Sequence, residues 1–104
     1  MPRTRREMIQ RRLRQADHNI FRAQQCLAEV HATYNVTRPE YSASVEYLLY
    51  ITDQLRRSIL RFHRNADLGV ERDLYDPDDL RVLLRDTEPI PMPKTEASWG
   101  SGHD

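Results

Sequence analysis

The chemistry this chain could perform is concentrated in its arginines. Fifteen of its sixteen basic residues are Arg and one is Lys. The Arg guanidinium is a planar fork of donors that matches phosphate or carboxylate oxygens two at a time. Six arginines fall between Arg3 and Arg14 and four between Arg56 and Arg64. If the fold brings those stretches together, Arg5, Arg6, Arg11, Arg12, Arg14, Arg56, Arg57, Arg61 and Arg64 share one positive field. Only Glu7, Asp17 and Asp67 lie among them. Such a surface attracts nucleic-acid backbones in a salt-sensitive way. The competing reading is a solvated helical face, neutralised by a partner's acids or by the chain's own C-terminal acids, with the Arg preference set by codon usage. Interleaved aromatics, which favour single-stranded nucleic acid, are scarce, with Phe21 the main one.

No other constellation reaches that density. His18, His31, His63 and His103 form no i,i+4 pair and no Glu-x-x-His is present, so neither a metal nor another cofactor is expected. Three glycines leave no phosphate-cradling loop. The lone Cys26 cannot form an intramolecular disulfide; it reads as a small packed thiol in a reducing, cytoplasmic setting. No catalytic residue is assigned. Two short matches stand as minor readings. Arg57-Ser-Ile-Leu-Arg-Phe-His63 resembles the Arg-x(4–6)-His motif of the HEPN helical ribonucleases, a resemblance that implies Arg and His acting on RNA in the cleft of a dimer. Arg56 and His63, seven apart, would share a helix face. The match covers seven residues, recurs at Arg12 to His18, and lacks that family's four-helix layout. Tyr75-Asp-Pro-Asp-Asp79 is similar to the Tyr-x-x-x-Asp/Glu tail that follows the hairpin of ESX-type secreted proteins. That family's Trp-x-Gly turn is replaced here by Asn35-Val-Thr-Arg-Pro39.

The elements that must position the arginines are two long helices. Thr4-Arg-Arg-Glu7 has the spacing of a capping box. It predicts a first helix from about residue 5 to Tyr34, with a seam of Ile9, Leu13, Ala16, Ile20, Ala23, Leu27, Val30 and Tyr34. The steps alternate four and three, a heptad pattern without Gly or Pro. Asn35 fits a left-handed C-cap, and Thr37-Arg-Pro-Glu40 is a second capping box with Pro39 in the first turn. Val36 and Tyr41 occupy hydrophobic-staple positions. The turn is placed at 35–37 and the second helix at about 38–68. Its seam is Tyr41, Val45, Leu48, Thr52, Leu55, Ile59, Phe62 and Ala66, and Gly69 fits its stop. Folding back at the turn pairs residues whose numbers sum to about 75: Leu27 with Leu48, Ile20 with Leu55, Ala16 with Ile59, Leu13 with Phe62.

The expected fold is therefore all-α. An antiparallel, coiled-coil-like two-helix hairpin spans residues 1–69. An acidic segment, 70–86, carries a short helix at about 77–85, and a disordered tail, 87–104, includes Trp99 as a weak peptide anchor. Helix two also carries Tyr47, Leu49, Tyr50, Ile51 and Leu60 off its seam, so its neighbourhood near the turn is apolar almost all round. A two-helix core is thin. Tyr47, Leu49, Tyr50 and Ile51 are accordingly read as a partner interface, completed to a four-helix bundle by a second copy, by a heterologous protein or by the chain's own tail.

Formal net charge is zero, but it is divided. Residues 1–68 hold twelve bases against seven acids, and 69–104 hold four against nine. No apolar run approaches the roughly 18 residues of a membrane span. The basic start lacks an apolar segment behind it, so no signal peptide is expected. These features lead to a non-enzymatic interaction or assembly protein, a small subunit or adaptor docking through the apolar face of helix two. The alternative is a nucleic-acid-binding protein using the Arg-rich open end of the hairpin.

Overall fold

The computed structural model describes residues 4–71 and 73–92. Arg3, Trp99, His103 and the rest of the expected tail from residue 93 lie outside the described residues. Among those described, there are three helices and no strands: α1 (Arg5–Thr37), α2 (Pro39–Asn65) and α3 (Asp78–Asp86). The two long helices pack antiparallel, and α3 packs on α1.

Helix α1 starts where the capping spacing places it. Thr4 is extended, and its hydroxyl accepts from the Glu7 amide at 3.1 Å. The turn differs from expectation. Asn35 stays helical and α1 continues to Thr37. The hydroxyls of Thr33 and Thr37 donate back to the carbonyls of Glu29 and Thr33, satisfying acceptors inside the helix. Arg38 alone breaks the helix, with φ −144° and ψ 72°, and no side chain caps α2. The residue before a proline is driven out of the helical region, so Pro39 fixes the break one residue upstream of itself. The ring of Tyr41 then lies 5.4 Å from that of Tyr34. At the far end α2 stops at Asn65, Asp67 has φ 51° and Gly69 has φ +98°. A Cβ on Gly69 would sit 2.9 Å from Gln10 Nε2, so this turn needs both glycine's backbone freedom and its lack of a side chain. Gln10 Nε2 donates to the Leu68 carbonyl and Arg6 Nη2 to the Asp67 carbonyl at 2.6 Å, tying the open end shut.

The main correction concerns the seam. Except at Val45, a seam residue that is itself buried, the stripe that faces between the helices lies one residue beyond the heptad seam on each helix. On α1 the buried residues are Asp17, Gln24 and Ala28; on α2 they are Val45, Leu49, Asp53, Arg56 and His63. Leu48, Leu55 and Phe62 are about half exposed, as is Ile9, and Ala16 and Ala23 are also exposed. The expected pairs Leu27/Leu48, Ile20/Leu55 and Leu13/Phe62 are therefore not the packing pairs. One residue is about 100° of helix rotation. Because the helices run antiparallel, the same one-residue rotation carries both seams to the same side of the hairpin. The axial register changes little. Arg56 bonds both Asp17 and Gln24, and so sits level with about residue 20, close to the expected pairing.

The chain's own C-terminal part covers the opposite side. After α2 it turns back, buries Leu74 and Tyr75, and runs through α3 toward the turn, where the Ile90 amide donates to Thr33 Oγ1 at 2.8 Å. The expected short helix is present, shifted by one residue. Leu80 and Leu83 are half-buried and Leu84 is more exposed.

Candidate functional site

Two surfaces and one buried cluster carry the chemistry of this chain. The cluster is what rotates the seams. Arg56, 3% exposed, points from α2 into the hairpin. Its Nε and Nη2 donate to the two carboxylate oxygens of Asp17 at 3.0 and 3.1 Å, a two-pronged pairing. Its Nη1 donates to Gln24 Oε1 at 3.2 Å and to Asp79 Oδ2, at the start of α3, at 2.8 Å. The guanidinium carbon lies 4.7 Å from the centre of the Phe21 ring and 5.4 Å from that of Tyr75. Desolvation, the largest single effect, lowers the Arg56 pKa, but the hydrogen bonds to Asp17 and Asp79 outweigh it and the net direction is up. The guanidinium is thus charged and shared among α1, α2 and α3. Beside it, Arg57 Nη2 donates to the Tyr75 hydroxyl at 3.1 Å, which donates to Asp53 Oδ2 at 3.2 Å. The Tyr75 contact, with a smaller contribution from Asp53, raises the Arg57 pKa. Gln24 Nε2, Asp53 Oδ1 and His63 Nδ1 are buried without a hydrogen-bond partner.

This cluster corrects two assignments made from sequence. Arg56 was grouped with the anion-binding arginines, but it is buried and its donors are taken by Asp17, Gln24 and Asp79. Leu49 was grouped with the partner interface, but it is 1% exposed and belongs to the hairpin core. Helical spacing puts both on the interhelical stripe, where an apolar or long side chain is enclosed by α1. The Arg56 and His63 pair also lies on that stripe, with both residues buried.

Of the other assigned arginines, Arg57 is held beside Arg56 by Tyr75 and Asp53, and the rest lie along the open half of the hairpin. Arg6 is held by the Asp67 carbonyl, Arg12 Nη1 donates to Gln15 Oε1 at 3.2 Å, and Arg64 Nε donates to Glu71 Oε1 at 2.7 Å. The Glu71 hydrogen bond raises the Arg64 pKa. Among the described residues, Arg5, Arg11, Arg14 and Arg61 make no ion pair with a carboxylate. Arg14 lines a cavity with Gln10, His63 and Val70. The acidic C-terminal segment was expected to screen this end. Glu71 does pair with Arg64 there, but the rest of the segment's described part docks at mid-height through Asp79 and runs to Thr33, along the half of the hairpin that holds the turn.

The second surface is the apolar face opposite α3. It carries Ile9, Ala16, Ala23, Leu27 and Val30 from α1, and Tyr41, Leu48, Leu55, Ile59 and Phe62 from α2. Its largest members, Ile9, Tyr41, Leu48, Leu55 and Phe62, are between 41% and 54% exposed. At its open end Arg5, Met8, Ile9, Arg12 and Leu13 line an apolar groove. Of the remaining residues assigned to a partner interface, Ile51 borders this face at 44% exposure, Tyr47 points away from α1, and Tyr50 leans toward the α3 side. The sequence signal for the face was the heptad itself, which marks a seam without saying whether the seam closes inside the chain or between chains.

Among the described residues, no group of three or more His, Cys, Asp or Glu side chains is arranged to hold a metal, and no helix is long and apolar enough to cross a membrane. Comparisons with family models, with curated proteins and with solved structures find no match.

Proposed function

We propose that this protein is a non-enzymatic assembly module whose hairpin docks further helices on its open apolar face, completing a four-helix bundle. The observation that carries the reading is that Ile9, Ala16 and Ala23 of the α1 seam and Tyr41, Leu48, Leu55 and Phe62 of the α2 seam are exposed on one side of the hairpin, opposite the side α3 covers, and that Val45 is the one seam residue that is buried. An apolar strip along two antiparallel helices is larger than the isolated hydrophobic residues of an ordinary surface, and such patches mark interaction sites. A strip repeating every 3.5 residues fits the ridges of other helices lying nearly along the same axis. The sequence-based interface is thereby redefined: Leu48, Leu55, Phe62 and Ile51, with Ile9 and Leu27 from α1, replace Leu49 and Tyr50 at its centre. A photo-crosslinking side chain at position 55, introduced in the native cell, tests this. A discrete adduct at position 55, with none from the same group at the outward position Asn65, supports the face. Equal or absent adducts at both positions refute it.

A second reading is favoured by the open end. Arg5, Arg11, Arg14 and Arg61 have no carboxylate partner among the described residues, and the acidic segment reaches this end only through Glu71 on Arg64. They suit the phosphates of a nucleic-acid backbone. Each duplex phosphate neutralised contributes about −0.9 to the slope of log affinity against log salt. The triple substitution Arg11→Gln, Arg14→Gln, Arg61→Gln should flatten that slope by two to three; an unchanged slope removes the reading.

A further inference from the structure

We infer that the helices docked on the apolar face are those of a second copy of this chain, arranged antiparallel about a two-fold axis that crosses the hairpin at the level of Ile20 and Leu55. The inference rests on the docking reading above and adds the identity and direction of the occupant.

Area is the first argument. A helix of 27 residues is about 40 Å long and two packed helices are about 20 Å wide, so the face offers about 800 Å². That is about what each partner contributes to a stable protein–protein interface. A second copy offers the same area and the same heptad period, so the match comes without any adjustment of length.

The pattern on the face is the second argument. By residue type the α1 seam is nearly palindromic about Ile20, with Ala16 and Ala23, Leu13 and Leu27, and Ile9 and Val30 on either side, whereas about Leu55 the α2 seam matches large with large only at Leu48 and Phe62. Arg56, bonded to both Asp17 and Gln24, puts those two centres at one height. A two-fold axis at that height sets Ala16 opposite the partner's Ala23, so the α1 helices approach closely across small side chains. It sets Leu48 opposite the partner's Phe62, and Leu55 beside its own copy. Ile9 and the apolar groove around it reach the level of the partner's Val30. Small residues thus meet small ones along α1, while along α2 Leu48 meets Phe62 and Thr52 meets Ile59, which is compatible with two hairpins tilted slightly across each other.

Charge decides the direction. The open half, residues 4–20 and 56–71, holds nine arginines against four acids. The turn half, residues 21–55 with the docked segment 75–92, holds four arginines against nine acids. Each protomer is therefore a long dipole, about +5 at one end and −5 at the other. A two-fold axis along the bundle would stack like ends together. An axis across it lays each Arg-rich end level with the partner's acidic half, four of whose nine acids are on the hairpin itself and five on the docked segment behind it, and this longer-range complementarity steers association and disfavours the parallel alternative.

The test uses the full chain with Cys26→Ser and a spin label at Asn35→Cys, an exposed position near the turn. Position 35 is fifteen residues from the axis, so the antiparallel dimer separates the labels by about 45 Å, and the parallel one by about 20–25 Å. Sedimentation equilibrium should give twice the 12.4 kDa chain mass, and Leu55→Glu, which sets two carboxylates side by side at the axis, should weaken association about a hundredfold or more while helical circular dichroism is kept. Labels near 20–25 Å in a dimer overturn the antiparallel arrangement. A wild-type monomer at 100 times the concentration of the labelling experiment overturns the second copy. In that monomer, apolar-dye binding abolished by Leu55→Glu still supports the docking face, whereas no dye binding refutes the face as well.

Discussion

Replacing Arg56 by Ala should be among the most damaging single changes in the chain. The side chain is 3% exposed and donates four hydrogen bonds, two to Asp17 and one each to Gln24 and Asp79. Removing it leaves Asp17, 1% exposed, as a buried carboxylate without its cation, and frees the start of α3. Breaking a buried ion pair from one side costs about 3–5 kcal/mol. For a domain of this size each kcal/mol moves the melting temperature by about 4–8 °C, so a fall of at least about 12 °C is expected. Urea unfolding followed by circular dichroism gives the free energy, and a cycle with Asp17→Leu separates the pair from the cost of stranding one partner. The double variant Arg56→Met, Asp17→Leu should recover most of the loss, since apolar side chains of similar volume can replace a buried pair at little cost. A loss below about 1 kcal/mol for Arg56→Ala, the range of exposed ion pairs, would refute a buried, shared guanidinium.

Other outcomes follow from single contacts. Tyr75→Phe removes the hydroxyl between Arg57 and Asp53 and should cost about 1 kcal/mol in thermal or urea unfolding, with hydrogen exchange rising in α3 before the hairpin. Gly69→Ala should destabilise by about 1–3 kcal/mol, since a Cβ meets Gln10 Nε2 at 2.9 Å and φ is +98°; an unchanged midpoint would show that the turn rearranges freely. Thr4→Ala removes the acceptor for the Glu7 amide and should cost about 0.5–2 kcal/mol, read as faster exchange in the first turn of α1.

How much of this was legible from sequence divides by physical cause. The hairpin, its axial register and the third helix were readable because they rest on the Thr4 cap, Pro39, the apolar period and Gly69, all local signals, whereas the second expected capping box forms no side-chain cap. The rotation about each helix axis was not. It depends on Asp17, Gln24, Arg56 and His63 being enclosed, and by residue type these belong outside. A signal existed: Gln10, Asp17, Gln24 and His31 recur every seven residues in α1, as do Leu49, Arg56 and His63 in α2. A second heptad stripe, polar in α1 and mixed in α2, parallels the apolar seam on each helix, and mutual charge satisfaction between Asp17 and Arg56 selects it. The off-seam apolar residues of helix two suggested a covering element, but Tyr47, Tyr50 and Ile51 stay exposed and Leu49 packs inside the hairpin, while the chain's own C-terminal segment packs on α1 and reaches α2 at Asp53, Arg56 and Arg57. The turn was misplaced because Asn35 suggested a cap, whereas the restriction Pro39 imposes on Arg38 decides where the helix ends.

The rotation of the helices about their own axes is the claim on which the open apolar face depends, and a pair of alanine substitutions measures it. Leu49 is 1% exposed and Leu55 is 49% exposed. In urea unfolding at a concentration where the chain is monomeric, Leu49→Ala should cost about 2–5 kcal/mol and Leu55→Ala well under 1 kcal/mol. The reverse order, with Leu55→Ala the costly change, would place the heptad seams inside the hairpin and close the face on which the assembly rests.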